Sequence, residues 1–435
     1  MRLIRLLKRD IAREAAEWVD EKLITEIQAE QICQRYGIDY QQIKNRSFAY
    51  SVLVGLGCLF IGLALITLIG GNWEDIPRAV RMGGLILLTL GTQGFAFKKH
   101  LDGHGHAATW LFFLGNLFYG ASIILIAQIY HLGEHMPDGI FWWALGCLPI
   151  ALMLKNPWVM LQCLSLSLIW FFTEINLDFY PTLFPLFLIC SGWLLIRGPQ
   201  NTLLFLTTLT GFGLWVEYSL AYLWRDVHWF DFHAEHVAIS IALFICFYQF
   251  SQWLGQKQSV ITKDYGAILA IWSLRFGLIC MFTLSFEDPW KELIRADWDY
   301  QLSMFVVVGI FAAVAIWFSL QANQLKQASW HLSFYLASLV VVLVAENYQH
   351  AVYLQIIFNL ALIAIGIWLI IRGIHRGISH YFFLGVSTIL LTAFMRYIDL
   401  IGDYIGGALL FAVFAALLLG AAKYWKNHQV KGESA

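Results

Sequence analysis

Imidazole and carboxylate side chains crowd two short stretches of this chain. His228, Asp231, His233, Glu235 and His236 precede one apolar run, and His131 and His135 follow another. These are metal-ligand types, and a zinc site needs three or four of them converging on one point. Their spacing matches no standard zinc signature, so no metal is expected and the stretches read as exposed, aromatic-rich loops. His100, His104 and His106 form a weaker group of the same kind. No nucleotide-binding or nucleophile motif stands out, so no cofactor is expected and no catalytic residue is assigned.

Two other constellations point to binding. Asn72 and Trp73 follow the first apolar run, Gln128, Tyr130 and His131 end the third, and Arg396 and Asp399 end the thirteenth. Amides, hydroxyls and a guanidinium there could line the outer mouth of a bundle and direct hydrogen bonds at a ligand. The competing reading makes Asn72 and Gln128 helix caps and lets Arg396 snorkel or pair with Asp399. The second constellation is an intramembrane charge pair. Arg275 falls near the middle of the ninth run, where a charge costs roughly 2.5–3.5 kcal/mol on insertion scales. Glu217 in the seventh run is the acid placed to answer it, as a buried ion pair that fixes helix packing or as a charged gate.

The elements that must position these residues are apolar runs. Hydrophobic residues make up 59% of the chain and charged residues 13%, about half the charged share of a soluble domain. Between Ala49 and Trp425 about fourteen runs succeed one another, each near the roughly 17–25 residues that cross a bilayer as a helix. They are 49–69, 79–97, 107–130, 139–154, 158–173, 182–196, 202–223, 235–253, 267–285, 303–320, 330–345, 352–371, 380–395 and 405–424. The expected fold class is therefore all-α, a polytopic helical membrane bundle of about fourteen transmembrane helices. It divides into a cytoplasmic amphipathic helical module (1–46), a transmembrane domain (47–425) and a cytoplasmic tail (426–435). Only Lys155, Asn156 and Pro157 separate two short runs, so 139–173 fits either two steep spans or a re-entrant hairpin. Pro185 is expected to kink its span. Gly402 and Gly406 have the spacing that lets helices approach closely, and Gly55, Gly57 and Gly62 are read the same way.

Other classes fall away. A net charge of -1 gives no reason to expect nucleic acid. No apolar core followed by a cleavage site opens the chain, so no signal peptide is expected to be removed. Cys33 lies in the N-terminal tail and the remaining cysteines fall inside apolar runs, so no disulfide framework is expected.

Loop charges set the orientation. With the N-terminus in the cytoplasm, the inside loops carry Lys98, Lys99, Lys155, Arg197, Lys257, Lys263, Lys326, Arg372 and Arg376. The outside loops are acidic, with Glu74, Asp75, Glu134, Asp138, Glu174 and Asp178 among them, and hold Trp142, Trp143, Trp229 and Trp298 as an interfacial belt. In the tail, Leu7, Ile11, Ala15 and Trp18 share one helical face. Thr25 and Gln28 read as a capping box, Gly37 as the stop of that helix, and Asp39 and Gln42 as a second box. So small a module cannot bury much core alone. It should pack on the membrane, on a second copy of the chain or on a cytoplasmic partner.

These residues also carry a likeness. Trp18-Val19, Leu23-Ile24-Thr25, Gln28-Ala29 and Ile32, then Gly71-Asn72-Trp73-Glu74-Asp75-Ile76-Pro77-Arg78 after the first span, resemble DUF2157, a family of uncharacterised bacterial membrane proteins. Gln128-Ile129-Tyr130-His131 leading to Trp142-Trp143, and Arg396-Tyr397-Ile398-Asp399-Leu400, fit the same pattern. The resemblance implies a bacterial inner-membrane protein and supplies no activity.

The favoured function is binding or transport of a small molecule or lipid through a polar site near the outer face. The alternatives are a membrane enzyme acting on a lipid-linked substrate at that face, or a scaffold or sensor using its N-terminal module. An enzyme would draw on the longest outside loop, roughly 286–302, with Glu287, Asp288, Lys291 and Arg295. The orientation is testable directly. A cysteine at Ser434→Cys should resist an impermeant thiol reagent in intact cells and label after lysis; labelling of intact cells overturns the cytoplasmic C-terminus.

Overall fold

Inside a bilayer every backbone N–H and C=O must find its partner within the chain, and an apolar run meets that demand alone only as a helix. A computed structural model of the chain describes residues 21–35, 77–130, 135–225, 230–345, 350–376 and 379–399, with isolated helical positions around 15–19, 53–64 and 412–415. The elements are α1 (Glu26–Arg35), α2 (Arg78–Leu101), α3 (Gly105–Tyr130), α4 (Pro137–Met153), α5 (Pro157–Asn176), α6 (Phe184–Arg197) and α7 (Thr202–Leu223). After them come α8 (Ala234–Gln256), α9 (Val260–Thr283), α10 (Glu287–Arg295), α11 (Gln301–Gln321), α12 (Leu325–Val344), α13 (His350–Arg376) and α14 (Ser379–Asp399). No strand occurs among the described residues. Nine of these helices are long and apolar enough to cross a membrane, and α4 and α6 are shorter apolar helices. The protein is an all-α polytopic membrane bundle. The first and last apolar runs, with Gly402 and Gly406, lie almost wholly outside the described residues.

The helices fall into two compact units that divide between Asp231 and Phe232. In the first, α5 is the central helix and packs on α3, α4, α6 and α7. Its Met160, Cys163, Leu164 and Phe171 are fully buried and meet Phe184 and Phe187 of α6. The Asn156 side chain accepts from the backbone N–H groups of Trp158 (3.0 Å) and Val159 (3.4 Å) and so starts α5. Pro157 follows at the first turn, where a proline's missing N–H costs nothing. The stretch 139–173 is thus two packed helices of 17 and 20 residues joined by a tight turn. Pro185 does the same for α6: it occupies the first turn and opens the helix, so the kink expected from it does not arise.

Three amide side chains in this unit form a chain of hydrogen bonds. Gln93 of α2 donates to Asn116 of α3 (2.9 Å), and Asn116 donates to Gln162 of α5 (2.9 Å). Gln162 in turn donates to the Phe113 carbonyl at 3.2 Å, so a ladder of amides ties three helices together. Small residues make room for large ones. A Cβ at Gly120 would lie 2.1 Å from the Trp143 ring, and one at Gly146 would lie 2.3 Å from the Tyr119 ring.

In the second unit α8 packs on α9, α11 and α12, while α13 packs on α9, α10 and α14. α13 and α14 approach closely: a Cβ at Gly385 would come within 2.5 Å of the Gly366 carbonyl oxygen. That is the small-residue contact expected of membrane helices, at a pair different from the one read in the sequence. In the N-terminal stretch the Thr25 capping box is present: Thr25 N–H donates to Gln28 Oε1 (2.9 Å) and Gln28 N–H to Thr25 Oγ1 (3.4 Å).

Gly385→Ala should therefore lower stability by about 1–3 kcal/mol through overpacking. Gly309→Ala, on a face with nothing within 4 Å, should be neutral or stabilising by up to ~1 kcal/mol. Unfolding curves of both variants in detergent check the pair; equal effects would mean that α13 and α14 do not meet closely.

Candidate functional site

The second unit holds a cavity of about 970 Å³ between α8, α9, α10, α12 and α13. Its wall on α12 is one helical face, from Gln327 through His331, Phe334, Tyr335, Ser338 and Leu339 to Val342. That face covers about 22 Å of helix rise, most of the roughly 30 Å hydrocarbon core. The two ends differ. At one end, beside Lys326, Gln327 Nε2 donates to the Tyr248 hydroxyl (3.0 Å), and the His331 ring stands edge-on to Tyr248 with centroids 5.4 Å apart. At the other, Trp290 of α10 donates its indole N–H to the Leu284 carbonyl (2.6 Å) and Trp298 donates to Leu293 (3.0 Å). Their polar atoms are thereby spent on backbone, and the Trp290 ring packs on Phe358 at 4.8 Å. Between the ends the hydroxyls of Tyr335 and Ser338 are committed to the carbonyls of Ala238 (2.8 Å) and Phe334 (2.9 Å). The result is a long, mainly apolar chamber with a cluster of polar side chains at one end.

The first unit holds a smaller pocket of about 540 Å³ at the N-terminal end of α4 and the C-terminal end of α5. His135 Nε2 lies 2.8 Å from Glu174 Oε2, and Trp170 Nε1 donates to Glu174 Oε1 at 2.8 Å. Glu174 is only 6% exposed, so both oxygens depend on these partners. Asp138 completes the group: one ligand atom from each of His135, Asp138 and Glu174 lies within 4.8 Å of the others. Among the described residues this is the one histidine, cysteine or carboxylate cluster of that kind.

The residues singled out from sequence are described only in part. Asn72, Trp73 and His131 lie outside the described residues, as does the side chain of Gln128. Tyr130 ends α3, exposed, with its hydroxyl 3.5 Å from Met82 Sδ. Arg396 and Asp399 belong to α14 of the other unit, where the Arg396 guanidinium sits 4.7 Å from the Phe286 ring. Glu217 is half-buried on α7 of the first unit. Arg275 is on α9 of the second, exposed, with its guanidinium 5.5 Å from the Trp272 ring. Of the crowded loop before α8, Glu235 accepts the Tyr300 N–H at 2.8 Å and His233 packs on the Tyr300 ring at 5.0 Å, which secures the start of α11. In the stretch 286–302 Lys291 pairs with Glu287 (3.0 Å) and Asp288 (3.4 Å) along the exposed face of α10. The hydrogen bond that Lys291 donates to the Glu287 carboxylate raises the Lys291 pKa.

Helix length and composition define a multi-pass membrane protein. Residues 16–160 match the model of DUF2157, described as a predicted membrane protein, and over that third of the chain the resemblance read from the residues holds. No curated protein and no solved structure matches the chain.

Trp170→Phe keeps the ring beside Phe141 and Phe187 and removes the donor to Glu174. It should cost about 1–3 kcal/mol, the penalty of stranding a buried acceptor. An unchanged unfolding midpoint in detergent would mean that water reaches Glu174 Oε1 through the pocket.

Proposed function

We propose that this membrane protein binds, and by binding carries, a small lipid-like amphiphile in the cavity of its second unit. The observation that carries the reading is the polarity of that chamber. An apolar volume along α12, flanked by aromatic rings at one end and headed by Tyr248, Gln327, His331 and Lys326 at the other, suits a single polar head with an apolar tail. The basic loops support a place in the bacterial inner membrane with both termini in the cytoplasm. On that orientation the polar end faces inward, since Lys326 belongs to an inside loop. The binding site then differs from the outer mouth favoured by the sequence. Residues 1–46 are left to engage a cytoplasmic partner or a second copy. The runner-up reading, an enzyme at the outer face, is favoured by the pocket around His135, Asp138 and Glu174, whose helix ends lie on the acidic side.

Ala361, which lines the chamber from α13, offers the test. Ala361→Phe fills the volume and should reduce co-purifying amphiphile at least tenfold, equivalent to about 1.4 kcal/mol of binding. Native mass spectrometry of the solubilised protein reads the adduct, with Gly309→Phe as a size control. Unchanged occupancy in Ala361→Phe refutes the assignment.

A further inference from the structure

We propose that His135, Asp138 and Glu174 form a binding site for a divalent transition metal of the zinc class. The site is independent of the amphiphile chamber. One imidazole and two carboxylates are the donor set that zinc accepts, and three protein ligands with an open fourth position is its usual arrangement where the metal meets solvent or a ligand.

The local structure prepares two of the three ligands. Glu174 is nine-tenths buried near the end of α5, and the Trp170 indole holds its Oε1, which turns Oε2 toward His135. The His135 ring is held edge-on against Phe179 with centroids 4.7 Å apart, and its Nε2 is the atom that faces the carboxylate. Donors of a tetrahedral zinc stand about 3.3 Å apart, given bond lengths of about 2.0–2.2 Å. The His135–Glu174 separation of 2.8 Å must therefore open by only about half an ångström as the metal takes the place of the shared proton. Asp138, in the first turn of α4 and exposed, closes from within 4.8 Å by turning its side chain. The pocket beyond, with Tyr180 and Thr182 on its wall, leaves the fourth position to water or to a ligand oxygen. An orienting hydrogen bond to a ligating carboxylate, such as Trp170 gives Glu174, is the usual support of a metal site.

Titration of the purified full chain with zinc chloride, followed by equilibrium dialysis and metal analysis, tests this. The native protein should bind one equivalent saturably. Asp138→Ala leaves the His135–Glu174 contact in place, so it should melt like the metal-free native protein yet bind zinc at least tenfold more weakly. His135→Ala should abolish the site. Absence of saturable binding overturns the proposal. So does native-like binding by either variant, which would put the metal elsewhere, for instance at His100, His104 and His106.

Discussion

A peptide group in hydrocarbon has no water to bond, and that single constraint decides most of this architecture. It makes every apolar run a helix, and it also governs the polar side chains inside. Gln93, Asn116 and Gln162 are tolerable in a membrane unit because each amide donates to the next carbonyl in line. Glu174 is tolerable because an indole and an imidazole meet its two oxygens. Where helices have little hydrophobic drive to associate, contacts of this kind and the close approach at Gly366 and Gly385 give them reason to pack.

The same accounting separates the chamber of the second unit from ordinary packing. Trp290, Trp298, Tyr335 and Ser338 turn their donors onto backbone carbonyls, which leaves most of the wall apolar. The Tyr248, Gln327 and His331 end brings side-chain polar groups together beside the space. A chamber of this length and polarity matches the shape of a molecule with one head and one tail.

How much of this could be read from the residues depends on whether the signal is local. Apolar length is local: all twelve described runs are helices, with α9 and α12 beginning a few residues earlier, at Val260 and Leu325. Caps are local too, as the Thr25 box shows. Pro185 was ambiguous because its effect depends on where the helix starts, and a proline in the first turn starts one. Partners are not local. His135 and Asp138 stand some forty residues from Glu174 and meet it because α4 and α5 are antiparallel, which no metal-spacing pattern records. The group before α8 looked the richer, but its Glu235 and His233 serve Tyr300 and the start of α11, and His228 lies outside the described residues. The chamber did leave a trace: Gln327, His331, Tyr335 and Ser338 fall at helical spacing in an otherwise apolar run.

A density map of the full chain reconstituted in native lipid tests the central reading most directly. The account predicts elongated density beside α12, with its head at Tyr248, Gln327 and His331 and its tail running toward Trp290 and Phe358. A chamber collapsed by side-chain repacking, or filled by a neighbouring helix of the chain itself, would contradict it.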